Sequence, residues 1–174
     1  QEIVFIDGGH DRQGQPVAEP DWEALKAQIV AQDGQWDAYA VVEIWGARNQ
    51  AAEVEAKRRI MAWTGKPVVA GHEITGELNS LKRAASALLN ARLLPVIADF
   101  LRAVEAALYD RGVNCPVAIV RGDGTLMTRA FAAVRPIETL LCGPASSVLG
   151  GARLSGCSQG IVKEHFVEIA EAVE

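Results

Sequence analysis

The stretch from about Asn79 to Tyr109 constrains this fold more than any other part of the chain. Leu88, Leu93, Val96, Ile97, Phe100, Leu101, Val104 and Leu108 recur at three- and four-residue spacing, the period of one helical face. Pro95 has no N–H to donate and crowds the preceding turn, so the pattern predicts two helices or one kinked helix. Four apolar runs accompany it: Ile3 to Ile6, Ala38 to Trp45, Val68 to Ala70 and Val117 to Val120. Each has strand length, and Ala38 to Trp45, with Glu43 as its single acid, reads as a strand buried on both faces.

Helices fill the gaps between these runs. Asp21 caps a helix from Trp22 to about Gln32, whose buried stripe is Leu25 and Ile29. Asn49 opens a second helix that runs through Trp63 and is closed by Gly65 and Pro67. Further on, the pattern predicts a helix near Thr128 to Ala133, a short strand at Thr139 to Leu141 and a small-residue helix from Pro144. A final amphipathic helix is predicted from about Ser158 to Val173. Strands alternating with helices of this length predict a three-layer α/β domain. Its sheet would be mostly parallel, with four or five strands and helices on both faces. Residues 14–20 are too short for an interdomain linker, so residues 1–174 read as a single domain.

Composition excludes several classes. The chain has 174 residues, 49% of them hydrophobic and 22% charged, which is globular rather than disordered. A formal charge of −5 argues against a general nucleic-acid binder, and Lys57-Arg58-Arg59 reads as a solvated helix face. Cys115, Cys142 and Cys157 are odd in number and lack C-x-x-C spacing, which predicts neither a metal site nor a disulfide framework. A reducing, cytoplasmic setting follows. No uninterrupted apolar run approaches the roughly 18 residues of a membrane span, and no secretory signal pattern is present. The opening residues after Gln1 already resemble a core strand, as expected for a piece or processed form of a longer protein.

Chemistry concentrates at the ends of the apolar runs. Gly71-His72-Glu73-Ile74 follows the run ending at Ala70, and the carboxyl ends of parallel strands are where α/β proteins bind ligands. His72 can act as a base or polariser, with Glu73 orienting it or the substrate. Asp123, between Gly122 and Gly124, follows another run. Flanking glycines permit close backbone approach to a substrate, although a turn aspartate bonded to its own backbone has the same spacing. Asn90 sits in a helix interior where its propensity is poor, so it is expected to make a specific bond, either structural or to substrate. Gly143, Pro144, Ala145 and Ser146 offer a helix start with free N–H groups, suited to an anionic cofactor or to tight packing. Asp7-Gly8-Gly9 lacks the hydroxyl-rich continuation of a phosphate loop and reads as a structural turn.

Arg121-Gly-Asp-Gly-Thr-Leu-Met127, Asn90-Ala-Arg-Leu-Leu-Pro95 and Arg135-Pro-Ile-Glu-Thr-Leu-Leu-Cys-Gly-Pro-Ala-Ser-Ser-Val-Leu-Gly-Gly-Ala152 resemble the hydantoinase/oxoprolinase family. The resemblance runs from about His10 to Ala152, is strongest from Gly71 onward, and leaves residues 157–174 unmatched. It implies an actin-like ATPase (ribonuclease H-like) fold, and a parent enzyme that uses ATP and Mg2+ to open hydantoin-like or 5-oxoproline rings. Related carboxylases act on small ketones. The two phosphate loops of that family lie outside the matched motifs, so this chain alone is expected to be inactive and to hold no cofactor. Its partners would be a small cyclic amide and the rest of its enzyme or a second subunit, with a homo-oligomer also open. A non-catalytic ligand-binding or subunit-interaction module is the alternative.

Overall fold

The computed structural model describes residues 2–156. In chain order its elements are β1 (Gly9–His10), β2 (Pro16–Ala18), α1 (Trp22–Gln32), β3 (Tyr39–Val41), α2 (Ala51–Thr64), β4 (Val68–Ala70), α3 (Gly71–Ile74), α4 (Ser80–Asp110), β5 (Ala118–Val120), β6 (Leu126–Thr128), α5 (Arg129–Val134) and α6 (Cys142–Ser155), with 3-10 turns at Asp33–Gln35 and Pro136–Thr139. The C-terminal helix expected within residues 157–174 lies outside the described residues.

Local signals account for the helix ends. Asp21, Asn79 and Thr128 each accept a backbone N–H of the first turn they precede, from Ala24, Lys82 and Phe131. Gly65, at φ 68°, closes α2 in the left-handed conformation that glycine adopts without a Cβ penalty. The long apolar stretch forms one continuous helix with Pro95 inside it. By length and composition α4 could also cross a membrane. Here, however, its buried Arg83 and Asn90 bond to other elements of the same chain.

The heart of the fold is the parallel pair β3–β4, in register Tyr39↔Val68, Ala40↔Val69 and Val41↔Ala70. Successive residues of β4 point to opposite faces. Val68 packs with Leu25, Ile29 and Ile60 of α1 and α2, whereas Val69 packs with Ala87 and Ala91 of α4. Burying each Val, Leu or Ile side chain of this set contributes roughly 1.5–3 kcal/mol.

The expected single sheet of four or five strands is not what the described residues form. They make three separate two-stranded sheets, of which β1–β2 and β5–β6 are antiparallel. Ile3 to Ile6, expected as a strand, has no strand partner among the described residues and lies exposed. An apolar run becomes a strand only where another strand takes its hydrogen bonds. Thr139 to Leu141 is also not a strand. The 3-10 turn ends there, and Leu141 takes a left-handed φ of 60°.

Candidate functional site

Val41 and Ala70 end the parallel pair side by side, and the chain that follows each strand carries the first group of polar residues. Beyond β3 come Glu43 and Gly46, and β4 turns directly into α3 with His72 and Glu73. His72 is held by Glu53, from the first turn of α2. Its backbone N–H donates to Glu53 Oε2 at 2.8 Å, and its Nδ1 lies 2.6 Å from the same oxygen. Glu53 Oε1 accepts the Glu43 N–H at 2.9 Å, and the whole Glu53 side chain is buried. Gly46 makes room for it, since a Cβ there would sit 2.3 Å from Oε1.

Glu43 repeats the pattern one layer out. Its carboxylate accepts the His10 N–H and lies 3.0 Å from His10 Nδ1. Arg83, fully buried, donates to the carbonyls of Glu43 and Ile44 behind this group.

Glu73 was expected to orient His72 or the substrate, and it does not orient His72. It takes a bidentate bond from Lys57 Nζ, at 2.7 and 2.8 Å, and accepts the Ala70 N–H at 3.0 Å. Burial pushes its carboxyl up, but the Lys57 and Ala70 hydrogen bonds outweigh this and hold it below 4.5. Sequence reasoning missed Glu53, Glu43, His10 and Arg83. Glu43 alone gave a signal, as an acid within an apolar run.

Asp123 lies apart from the parallel pair, because β5 and β6 form a hairpin and Asp123 sits in its loop. There it accepts the Thr125 N–H at 2.9 Å and the Thr125 hydroxyl at 2.6 Å, which, the hydroxyl foremost, hold its carboxyl below 3.8. Gly124, at φ 82°, completes the turn. Gly122 approaches the protein's own backbone: its N–H donates to Glu138 O at 2.8 Å, and a Cβ would stand 2.1 Å from Leu140 O. Asn90 is fully buried, with Nδ2 donating to Val134 O at 3.0 Å and Oδ1 accepting the Ile137 N–H at 3.1 Å.

An open groove of about 380 Å³ brings several of the expected residues together. Gly122, Asp123, Leu141, Pro144, Ala145, Val148 and Leu149 line it. Among the described residues that line it, Asp123 is the one charged residue and the remaining side chains are apolar. Gly143 lies in the first turn of α6, and the Ser146 hydroxyl donates back to Cys142 O at 2.7 Å.

A chain of arginines and a glutamate joins the groove to α3. Arg135 donates to the carbonyls of Glu73 and Ile74 at 2.8 and 3.0 Å and to Glu138 Oε1 at 2.7 Å. Glu138 Oε2 accepts from Arg121 at 2.6 Å, and Arg121 pairs with Asp123 at 3.5 Å. Asp123 and Glu73 thus belong to one network but are linked through these intermediates. Among the described residues no cluster of three His, Cys, Asp or Glu side chains could hold a metal.

This architecture recurs as a segment of large ATP-dependent enzymes. Superposed on the crystal structure of ATP-dependent caprolactamase from Pseudomonas jessenii, 87% of this chain matches 22% of that one, with a TM-score of 0.76 and 23% identity. On nucleotide-free acetone carboxylase the same shares match with a TM-score of 0.65 and 15% identity. By sequence, the caprolactamase alpha subunit of P. jessenii is 25% identical over 118 residues, and an uncharacterised protein of Methanocaldococcus jannaschii is 25% identical over 88. These alignments cover 67% and 51% of this chain. It spans only 17% and 13% of the length of those relatives. The hydantoinase/oxoprolinase family model matches residues 83–164, including residues beyond Ala152 that the motif resemblance leaves unmatched. The family match, the sequence relatives and the shared fold together support a fragment of the hydantoinase/oxoprolinase family.

Proposed function

We propose that this chain forms one wall of the active site of an ATP-dependent cyclic-amide hydrolase. The reaction would consume water and ATP, breaking a ring C–N bond to give the ring-opened amino acid, or from a hydantoin the carbamoylamino acid, with ADP and phosphate. Candidate substrates are hydantoins, 5-oxoproline and lactams such as the caprolactam of the relative's name. The single observation that carries this reading is the Arg135–Glu138–Arg121 chain, which ties the His72–Glu73 segment to the groove beside Asp123. In that arrangement His72 handles the proton of the attacking water, and the ionised Asp123 and Glu73 set the field at the groove and at α3. The parallel pair β3–β4 would be one part of a larger three-layer, actin-like sheet.

The described residues do not by themselves fit a nucleotide triphosphate with its metal. The groove wall is apolar apart from Asp123, the Ser146 hydroxyl is spent on its own helix, and no metal-ligating cluster is present among them. No step through ATP or Mg2+ is therefore assigned to them, and the isolated chain is expected not to turn over. A second reading, a ligand-binding or subunit-interaction module, is favoured by the Asp123 carboxylate being engaged within its own loop.

The test uses the whole protein that contains this segment. Phosphate release and ring opening are measured with hydantoin, 5-oxoproline and caprolactam, for the wild type and for His72→Gln and Asp123→Asn. Substrate-stimulated phosphate release that falls roughly 10²-fold or more in either variant supports the hydrolase. Binding of these compounds with no ATP-dependent turnover supports the module.

A further inference from the structure

Glu53 is the most deeply buried carboxylate near α3, and nothing above gives it a chemical part. Among the described residues every hydrogen-bond partner of its carboxylate is a nitrogen: the backbone N–H of Glu43 at Oε1, and the backbone N–H and ring Nδ1 of His72 at Oε2. The two backbone groups can only donate. A carboxylate can only accept, so Nδ1 facing it must carry the hydrogen, which leaves Nε2 as the lone-pair nitrogen of the neutral ring. The site is shaped for this carboxylate. A Cβ at Gly46 would lie 2.3 Å from Oε1 and one at Gly71 would lie 3.2 Å from it. The His72 side chain, in contrast, keeps 12% of its surface exposed. His10 and Glu43 repeat the device, with backbone N–H and Nδ1 of one histidine converging on one carboxylate oxygen.

We infer that Glu53 is a positioning residue that locks His72 in the Nδ1–H tautomer, so that Nε2 is the nitrogen presented to a substrate-bound water or other O–H group. The inference rests on the reading of His72 as the proton-handling group. It adds which nitrogen works and which residue decides it. In the step itself, the O–H proton moves to Nε2 as the oxygen forms its bond to the amide carbon. The ring becomes imidazolium with its Nδ1–H still on Glu53, and the proton then leaves Nε2 for the departing ring nitrogen.

The tautomer is read directly by long-range 1H–15N correlation on the full 174-residue chain labelled with 15N-histidine, at alkaline pH. His72→Gln assigns its signal among those of His10, His72 and His165. The expected result is an Nδ1–H, Nε2-unprotonated pattern for His72 in the wild type, and loss of that pattern in Glu53→Gln, whose amide can donate to Nδ1. An Nε2–H pattern in the wild type overturns the inference. That measurement stands even if the Gln variant fails to fold. In the whole enzyme, Glu53→Gln should lower kcat roughly 10²-fold with KM little changed, and Glu53→Asp should recover part of it. An intact kcat in Glu53→Gln, where His72→Gln lowers it, overturns the positioning role. If instead the tautomer is as expected and His72→Gln leaves turnover intact, the proton-handling reading of His72 fails while the positioning by Glu53 stands.

Discussion

Arg83 and Glu43 meet through the Glu43 backbone carbonyl, leaving the Glu43 carboxylate free to take His10. The Arg83 guanidinium is fully buried and also donates to Ile44 O at 3.0 Å and Glu77 O at 2.5 Å. It therefore pins α4 to the segment after β3 and to the loop before α4. This arrangement depends on a planar fork with several fixed donors, which lysine lacks.

Arg83→Lys should therefore destabilise the fold by about 2–4 kcal/mol, since buried carbonyls are left without donors and the shorter ammonium cannot reach all of them. Urea denaturation measures it. A loss below about 0.5 kcal/mol, the range of an ordinary surface substitution, would show that the buried fork is not holding these segments.

Asn90→Leu keeps the side-chain size but strands Val134 O and the Ile137 N–H, both otherwise bonded by the amide. Each orphaned group costs about 1–3 kcal/mol, so a total of about 2–6 kcal/mol is expected. The same denaturation experiment reads it. A neutral result would mean that these groups find other partners.

Glu138 gives the acid limb of stability a specific source. The Arg121 hydrogen bond, against the opposing effect of burial and with help from Arg135, holds its carboxyl below the ordinary 4.5. The unfolded chain then binds the proton more readily than the folded one. The contribution is complete above about pH 4.5 and is lost as pH falls through the lower folded value. Glu138→Gln should flatten the dependence of the urea midpoint on pH below 4.5. Parallel curves for variant and wild type would refute the assignment.

Tyr39 governs an alkaline counterpart. Burial, with the hydrogen bond its hydroxyl donates to Asp33 at 2.8 Å, raises its phenol from 10.0 to about 12. The folded state keeps the proton longer than the unfolded one. Stability from this group is thus complete below about pH 10 and is lost as pH rises through about 12. Ultraviolet titration of phenolate should show a late phase near 12 that disappears in Tyr39→Phe. A titration unchanged by that substitution would count against it.

The sequence by itself determined the parts governed by nearest neighbours. Asp21 and Gly65 set helix ends and the 3- and 4-residue apolar spacing marked α4 as helical, because a cap or a helical period involves residues only a few positions apart, although of that stripe only Leu101 is buried. The motif from Arg135 to Ala152 likewise carried the family. Pairing of strands was decided only in three dimensions. Val117 to Val120 is apolar enough for a parallel core strand. It pairs instead with Leu126–Thr128 in a hairpin, and so Asp123 lands in a loop rather than at the end of β3–β4. Glu53 is the sharper case. In sequence it is a first-turn acid like many others, and a solvated one would look the same. It becomes the partner of His72 because α2 brings it against the end of β4, where Gly46 and Gly71 leave the space its carboxylate fills and backbone N–H groups await an acceptor. A buried charge is decided by what closes around it, and the residues that close around Glu53 lie as far as 19 positions away along the chain.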